Sequence, residues 1–134
     1  MRFVLDASFA AGAIMPDEGG EDVDRAFDAL AQTGAAVPDL FWHEIRNVLL
    51  IAERKGRLPQ GGGAIKVSAL RNLPIETRIH RNDADVLRLA NEHRLSAYDA
   101  AYLALAIELQ LTLATFEGRF RAPADAADVQ PVGR

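Results

Sequence analysis

The sequence contains no cysteine, and this absence removes two classes of protein from consideration. A disulfide-stapled framework cannot form, and a metal site built on thiolates is excluded. The absence also fits a reducing compartment. Only three histidines are present, His43, His80 and His93, and they share no ligand spacing. A histidine-based metal site is therefore not expected either.

Long hydrophobic segments are also missing from the sequence. No uncharged apolar run is long enough to cross a bilayer, and Met1-Arg2 leads directly into Phe3-Val4-Leu5-Asp6 without the apolar region of a signal peptide. We therefore expect a cytoplasmic protein with no membrane association. With 134 residues, 49% of them hydrophobic and 25% charged, the chain has the size and composition of one globular domain, residues 1–134.

Charge is distributed unevenly along the chain. The net charge is −4, which argues against general attraction to nucleic acid, but residues 46–81 carry eight basic side chains against two acidic ones. This stretch has a balance of +6, whereas the rest of the chain has a balance of −10. The pattern indicates one basic surface and one acidic centre, with a solvated helical face as the simpler explanation of the basic part.

Strand-like and helix-like segments alternate along the chain, which predicts an α/β/α sandwich of three layers around a short parallel sheet. The segment 9–15 is small and apolar, and its pattern does not assign it to either type. Strands are predicted at 3–5, 35–37, 74–79, 111–115 and 127–132, the last of them at a sheet edge. Helices are predicted at 22–31, 40–55, 64–73, 83–93 and 98–109.

Three acids occupy the places where ligands bind in such sheets. Asp6 follows the first predicted strand, Glu117 follows the strand 111–115, and Asp99 lies at the start of the nearly all-apolar helix 98–109. Because strand carboxyl ends and helix N-termini gather at one edge of a parallel sheet, we expect these acids to converge. The structural alternatives are that Asp6 caps the next helix and that Asp99 forms a capping box with Ser96.

A fourth acid, Glu44, lies at the edge of the apolar stripe of the helix 40–55, close to Phe41 and Val48. An acid among large apolar side chains needs a partner or a cation, because an unpaired buried charge is costly. The alternative is a boundary glutamate that reaches water or pairs with Arg46 or Arg54.

Carboxylates gathered in one pocket repel each other unless a cation lies among them. Oxygen ligands without cysteine or histidine select Mg²⁺ or Mn²⁺. Such ions activate water and neutralise charge at a phosphoryl centre, so the acids point to phosphodiester hydrolysis.

Four segments carry a family resemblance, and they occur in the family's order from one end of the chain to the other. They are Arg2-Phe3-Val4-Leu5-Asp6-Ala7-Ser8, then Pro38 with Glu44 and Asn47, then Tyr98-Asp99-Ala100-Ala101-Tyr102-Leu103-Ala104-Leu105-Ala106, and finally Leu113-Ala114-Thr115-Phe116-Glu117. Together they resemble the PIN-domain ribonucleases, especially the VapC-type toxins of bacterial toxin-antitoxin pairs. Each segment alone is weakly specific, whereas the four at these spacings are specific.

The resemblance implies a PIN-like fold and a toxin that hydrolyses RNA with a metal-activated water, leaving a 5′-phosphate and a 3′-hydroxyl. Asp6, Glu44 and Asp99 match the acids that hold the ion, Mg²⁺ or Mn²⁺. Glu117 falls where the family usually has Asp, and its longer side chain leaves a second-metal or water-positioning role open.

The resemblance also implies supporting residues and partners. Ser8, Asn47 and Thr115 match polar positions that orient the acids or the attacking water. Family members are typically homodimers silenced by a cognate antitoxin whose tail covers the acidic pocket. The basic stretch 46–81 is then a candidate surface for RNA or for a partner, because phosphate contacts give affinity without specifying sequence.

Two other functions remain as alternatives. A PIN-like fold could serve as a binding or scaffold protein with little or no catalysis, and the departure at Glu117 favours this hypothesis. A receiver-like phosphoacceptor module also places acids at strand ends, but it needs an acidic pair before the first helix and a late lysine. The chain has no lysine after Lys66.

Overall fold

The computed structural model describes residues 2–15, 20–79, 82–115 and 131–132. They form a parallel sheet with helices on both of its faces. The strands are β1 (Phe3–Leu5), β2 (Ala35–Pro38), β3 (Ile75–Arg78), β4 (Thr112–Ala114) and β5 (Pro131–Val132). The helices are α1 (Ala7–Ile14), α2 (Glu21–Thr33), α3 (Leu40–Arg54), α4 (Gly62–Arg71), α5 (Asp83–His93) and α6 (Ala97–Leu109).

The sheet order is β3-β2-β1-β4-β5, and every pairing is parallel. The chain moves outward from β1 through β2 to β3, then crosses back over β1 to β4. With right-handed crossovers, α1 to α4 cover one face of the sheet and α5 and α6 cover the other. The predicted α/β/α architecture is therefore confirmed. The order of strands reverses between β1 and β4, which is where open parallel sheets bind their ligands.

Strand β1 lies at the centre of the sheet and is buried along its whole length. Its three residues are all large and apolar, as expected for a strand covered on both faces. Val4 pairs with Ala36 of β2 on one side and with Leu113 of β4 on the other. Whatever follows β1 in the chain is thereby held at the middle of the sheet's carboxyl edge.

Helix α1 occupies the segment that the sequence pattern left unassigned. Its buried residues include Ala7, Phe9 and Gly12, and small apolar side chains surround the helix axis. Such a helix has no polar face, so the periodicity that identifies an amphipathic helix is missing. Its packing against α2 and α3 and within the core explains why it is apolar except for Ser8.

The other helices agree with prediction, and two of them begin with the expected caps. Asn82 Oδ1 accepts a hydrogen bond from the Asp85 backbone N–H at 3.1 Å, and Ser96 Oγ accepts one from the Asp99 N–H at 3.0 Å. These bonds satisfy backbone donors that the first turn leaves unpaired. Of the predicted last strand, 131–132 is a strand at the sheet edge, as expected, and 127–130 lies outside the described residues. No helix within the described ranges is long and apolar enough to span a membrane.

Gly34 ends α2 and turns the chain into β2. Its φ is +84°, and a Cβ at this position would lie 3.0 Å from the Pro74 carbonyl oxygen. The same oxygen accepts the Ala35 backbone N–H at 3.0 Å, which joins β2 to the chain entering β3. Both the backbone conformation and the close approach therefore require glycine.

We expect Gly34→Ala to lower the free energy of unfolding by about 2 kcal/mol, because it combines backbone strain with a contact to fixed backbone. Gly56→Ala is the matched control, since Gly56 has a φ of +77° but no described atom lies within 4 Å of the added Cβ. It should cost about 1 kcal/mol. Urea denaturation measures both values, and equal losses would show that the contact with Pro74 is unimportant.

Candidate active site

Asp6 lies at the junction between β1 and α1. Its backbone N–H donates to the Ala114 carbonyl at 3.1 Å, which continues the pairing of β1 with β4. Its own carbonyl accepts the Ala10 N–H at 3.0 Å, which begins α1. The main chain at Asp6 is thus held from both sides, and the side chain projects from a rigid support.

The Asp6 carboxylate is completely buried. Ser8 Oγ donates to its Oδ2 at 2.6 Å, and Thr115 Oγ1 donates to the same oxygen at 3.1 Å. Although Asp6 occupies the N-cap position of α1, its side chain makes no capping hydrogen bond. The structural alternative, in which this carboxylate serves to cap the helix, is therefore wrong. Hydroxyl donors stabilise the ionised form of a carboxylate, so the arrangement favours a buried negative charge.

Glu44 is half-buried on α3, and its partner is a tyrosine. Tyr102 of α6 donates its hydroxyl to Glu44 Oε1 at 2.6 Å. The expectation that Glu44 needs a partner agrees with this bond. Arg46, one of the two arginines that the alternative interpretation offered, contacts His43 Nδ1 at 2.8 Å. Helices α3 and α6 belong to opposite layers, so this bond joins the two layers at the sheet edge.

Tyr102 is buried and lies close to two acids. Burial raises the pKa of Tyr102 far above its usual range, and the hydrogen bond to Glu44 together with the charges of Glu44 and Asp6 raises it further. A backbone hydrogen bond from Ala7 acts in the opposite direction. The phenol is therefore protonated and donates its hydrogen bond to Glu44.

Asp99 lies in the first turn of α6, one turn before Tyr102, and is half-buried. The expected cap is present, because Ser96 accepts the Asp99 backbone N–H. A negative side chain in this position also interacts favourably with the helix dipole. The turn that Ser96 caps is the first turn of α6, and the topology puts this end of the helix at the carboxyl edge of the sheet.

Of the other predicted site residues, two lie next to Asp6 and two do not lie there in the described structure. Ser8 and Thr115 contact Asp6, whereas Asn47 is exposed on α3, one turn after Glu44. Glu117 lies outside the described residues. Within the ranges that are described, no three histidine, aspartate or glutamate side chains are grouped closely enough to hold a metal ion.

The basic stretch is partly engaged in contacts within the protein. The Arg71 guanidinium lies 3.7 Å from the centre of the Trp42 ring, and Trp42 donates its indole N–H to Thr77 at 2.8 Å. Arg78 lies 3.6 Å from Glu76 and 3.7 Å from Glu108. The contacts of Arg71 and Trp42 join α4, α3 and β3, and those of Arg78 join β3 to α6. Arg54, Lys55 and Arg57 of the same stretch are exposed.

A comparison with known families decides the classification. The family model described as the PIN domain matches residues 3–126 of this sequence. The chain belongs to the PIN domain family. The match includes the segments that contain Asp6, Glu44 and Asp99, and the family resemblance found in the sequence is confirmed.

The chain is also similar to two individual proteins. The chain is 31% identical over 121 residues to Ribonuclease VapC3 from Pyrobaculum aerophilum, covering 87% of this chain and 90% of that protein. A crystal structure of PAE2754, also from Pyrobaculum aerophilum, superimposes with a TM-score of 0.72 at 21% identity, covering 91% of this chain and 84% of that one. The second similarity establishes the fold alone.

Tyr102 is the site residue to which the sequence pattern assigned no role. One signal was available, since Tyr102 is the only residue between Ala100 and Ile107 with a polar group on its side chain. A buried tyrosine hydroxyl generally requires a hydrogen-bond partner. Its spacing of three residues from Asp99 places it on the same side of the helix, next to the acidic site.

We expect Tyr102→Phe to lower the free energy of unfolding by about 1 to 2 kcal/mol, because half-buried Glu44 loses a donor to its charge. A double-mutant cycle with Glu44→Gln should give a coupling energy of about 1 kcal/mol. Chemical denaturation of the four proteins provides the measurement.

Tyr98→Phe is the matched control for this cycle. It removes a tyrosine hydroxyl from the same helix, but the Tyr98 side chain is 66% exposed. Its effect should stay within about 0.5 kcal/mol. A coupling energy near zero between Tyr102 and Glu44 would contradict the assignment of their hydrogen bond.

Proposed function

We propose that this PIN-domain protein is a Mg²⁺- or Mn²⁺-dependent endoribonuclease, the toxin of a toxin-antitoxin pair, formed by a single domain of residues 1–134. The observation that carries the proposal is the buried Asp6 carboxylate. It lies at the point where the strand order reverses, receives two hydroxyl donors, and makes no helix cap. A buried charge maintained in this way is characteristic of a functional site rather than of a structural one.

The donor set fits a hard divalent cation. Asp6, Glu44, Asp99 and Glu117 offer only carboxylate oxygens, and the neighbouring side chains of Ser8, Thr115 and Tyr102 offer only hydroxyls. Mg²⁺ and Mn²⁺ prefer oxygen ligands of this kind. When bound, such an ion lowers the pKa of water and neutralises charge on a phosphodiester.

The protein's own residues perform distinct tasks in this proposal. Asp6 and Asp99 hold the ion, and Glu44 completes the set from α3. Ser8 and Thr115 fix the orientation of the Asp6 carboxylate, and Tyr102 fixes that of Glu44, so that the acids need not reorganise when the ion and RNA arrive. We assign Glu117 and Asn47 to the same pocket, as residues that position water.

The relatives support the substrate and the partners. The name of the Pyrobaculum relative describes a ribonuclease of the VapC type. By analogy we propose RNA as the substrate, a cognate antitoxin as the inhibitory partner, a homodimer as the assembly and the cytoplasm as the location.

A scaffold with little or no catalysis is the second candidate. The observation that favours it is the absence of a preformed group of three acids within the described part of the chain. This candidate predicts binding of RNA or protein without metal-dependent cleavage. The following experiment distinguishes it from the nuclease.

We expect the purified protein, free of antitoxin, to cleave single-stranded RNA with Mg²⁺ or Mn²⁺ and not with a chelator. Asp6→Asn and Asp99→Asn should each reduce cleavage by about a hundredfold or more, because each removes a charge that holds the ion. The measurement is the initial rate of cleavage on labelled RNA, with circular dichroism to confirm folding.

Asp28→Asn is the matched control for these variants, since Asp28 is an exposed aspartate on α2 away from the sheet edge. It should cleave at the wild-type rate. Normal cleavage by Asp6→Asn would overturn the site assignment. RNA that remains intact with every ion would favour the scaffold.

We expect Glu117→Asp to retain or raise the rate of cleavage, because it restores the shorter acid that the family usually carries. Glu117→Gln should lower the rate. If the aspartate variant is inactive while still folded, the alignment of Glu117 with the family's acid is wrong.

A further inference from the structure

Tyr98 is distinguished by its exposure. Its side chain is 66% exposed, whereas the other aromatic side chains that the structure describes are buried or half-buried. An aromatic ring in water forgoes the stabilisation that burial would provide, about 25 cal/mol for each Å² of apolar surface. Nothing in the packing of α6 requires a large ring here, because the helix is already anchored by Tyr102, Leu103 and Leu105.

The position of Tyr98 relates it directly to the candidate active site. It precedes Asp99 in the first turn of α6, and it lies one turn before Tyr102 on the same helical face. Tyr102 points its hydroxyl at Glu44. Helix side chains lean toward the N-terminus, and the N-terminus of α6 lies at the carboxyl edge of the sheet. The exposed ring of Tyr98 therefore lies at the end of α6 that faces the site, next in sequence to Asp99.

A groove of about 410 Å³ opens at the same end of α6, between this helix, α5 and the end of β2. Ala97 and Ala101 line it on the α6 side, and Val86 and Leu87 line it on the α5 side. Asp39 and Asp83 contribute the charged groups of its lining. Two carboxylates disfavour a phosphate, whereas the apolar walls suit the neutral, flat part of a nucleotide.

We propose that Tyr98 is a stacking platform for the base of a nucleotide that adjoins the scissile phosphate. The proposal rests on the RNA-cleaving function proposed above and assigns a residue that binds substrate at that site. An RNA chain whose scissile phosphate approaches the cation that Asp6 and Asp99 would hold must direct the adjoining base to one side. Tyr98 offers an aromatic face there, and proteins commonly bind unpaired RNA bases by stacking them on such faces. Stacking secures the substrate without selecting one base.

The test is RNA binding by fluorescence anisotropy, with Ca²⁺ as an oxygen-binding ion in place of Mg²⁺. The probes are a single-stranded oligonucleotide that the wild-type protein cleaves, and copies in which one nucleotide at a time is replaced by an abasic ribose. Tyr98→Leu removes the aromatic face and keeps the apolar character, whereas Tyr98→Phe and Tyr98→Trp keep the face.

We expect Tyr98→Leu to weaken binding of the intact oligonucleotide by about five- to a hundredfold. The phenylalanine and tryptophan variants should bind within about twofold of wild type, since both can stack. On one abasic copy, the one whose missing base adjoins the cleaved bond, Tyr98→Leu should bind as tightly as wild type, because no base is left there to stack. On every other abasic copy it should bind more weakly than wild type. Ile107→Ala, an exposed apolar residue near the far end of the same helix, is the control and should bind as wild type does.

Several results would overturn the proposal. They are unchanged binding by Tyr98→Leu, an equal loss on every abasic copy, or a loss in Tyr98→Phe as large as in Tyr98→Leu. If these results appear while the wild-type protein still cleaves RNA with Mg²⁺, only the role of Tyr98 fails. If the wild-type protein neither binds nor cleaves RNA, the proposed function fails together with it.

Discussion

A negative charge buried at the end of the central strand is the constraint on which the site depends. Removing a carboxylate from water is expensive, so the surrounding structure must supply polar partners. For Asp6 these come from two directions, Ser8 in the first turn of α1 and Thr115 just after β4. Because β4 pairs directly with β1, the fold itself brings Thr115 to Asp6 across 109 positions of sequence.

The second constraint is the bond that joins the two helical layers. Tyr102 extends from α6 to Glu44 on α3, and its pKa is raised so far that it remains a donor. Glu44 Oε1 therefore accepts a hydrogen bond from a neutral hydroxyl of the opposite layer. A phenol donates one hydrogen bond and carries no charge, so this contact orients the acid without neutralising it.

Much of this arrangement could be predicted from the sequence, because it depends on local patterns. The bounds of α5 agree with prediction residue for residue, since Asn82 caps its start and apolar spacing marks its length. The buried run Phe3–Leu5 and the acid after it located the carboxyl edge of the sheet. The sequence pattern does not assign helix α1, because apart from Ser8 the helix is apolar and no periodicity distinguishes such a helix from a buried strand.

Contacts between side chains that are far apart in sequence are harder to predict from the sequence. The pattern of α3 predicts correctly that Glu44 needs a partner, but it offers candidates on the same helix only, whereas Tyr102 lies 58 positions away. Spacing on one helix cannot identify a side chain on another layer. The contact between Asp6 and Thr115 depends in the same way on sheet order, which emerges only when all the strands are assembled.

The most direct test of the central claim is X-ray diffraction at the manganese absorption edge, from crystals of this protein grown with Mn²⁺. The account predicts an anomalous peak at the carboxyl edge of the sheet, within about 2.0 to 2.3 Å of carboxylate oxygens of Asp6 and Asp99. Crystals of Asp6→Asn grown in the same way should lack the peak. A map with no peak at saturating Mn²⁺, or with the ion bound elsewhere, would contradict the claim that the buried carboxylate exists to hold a cation.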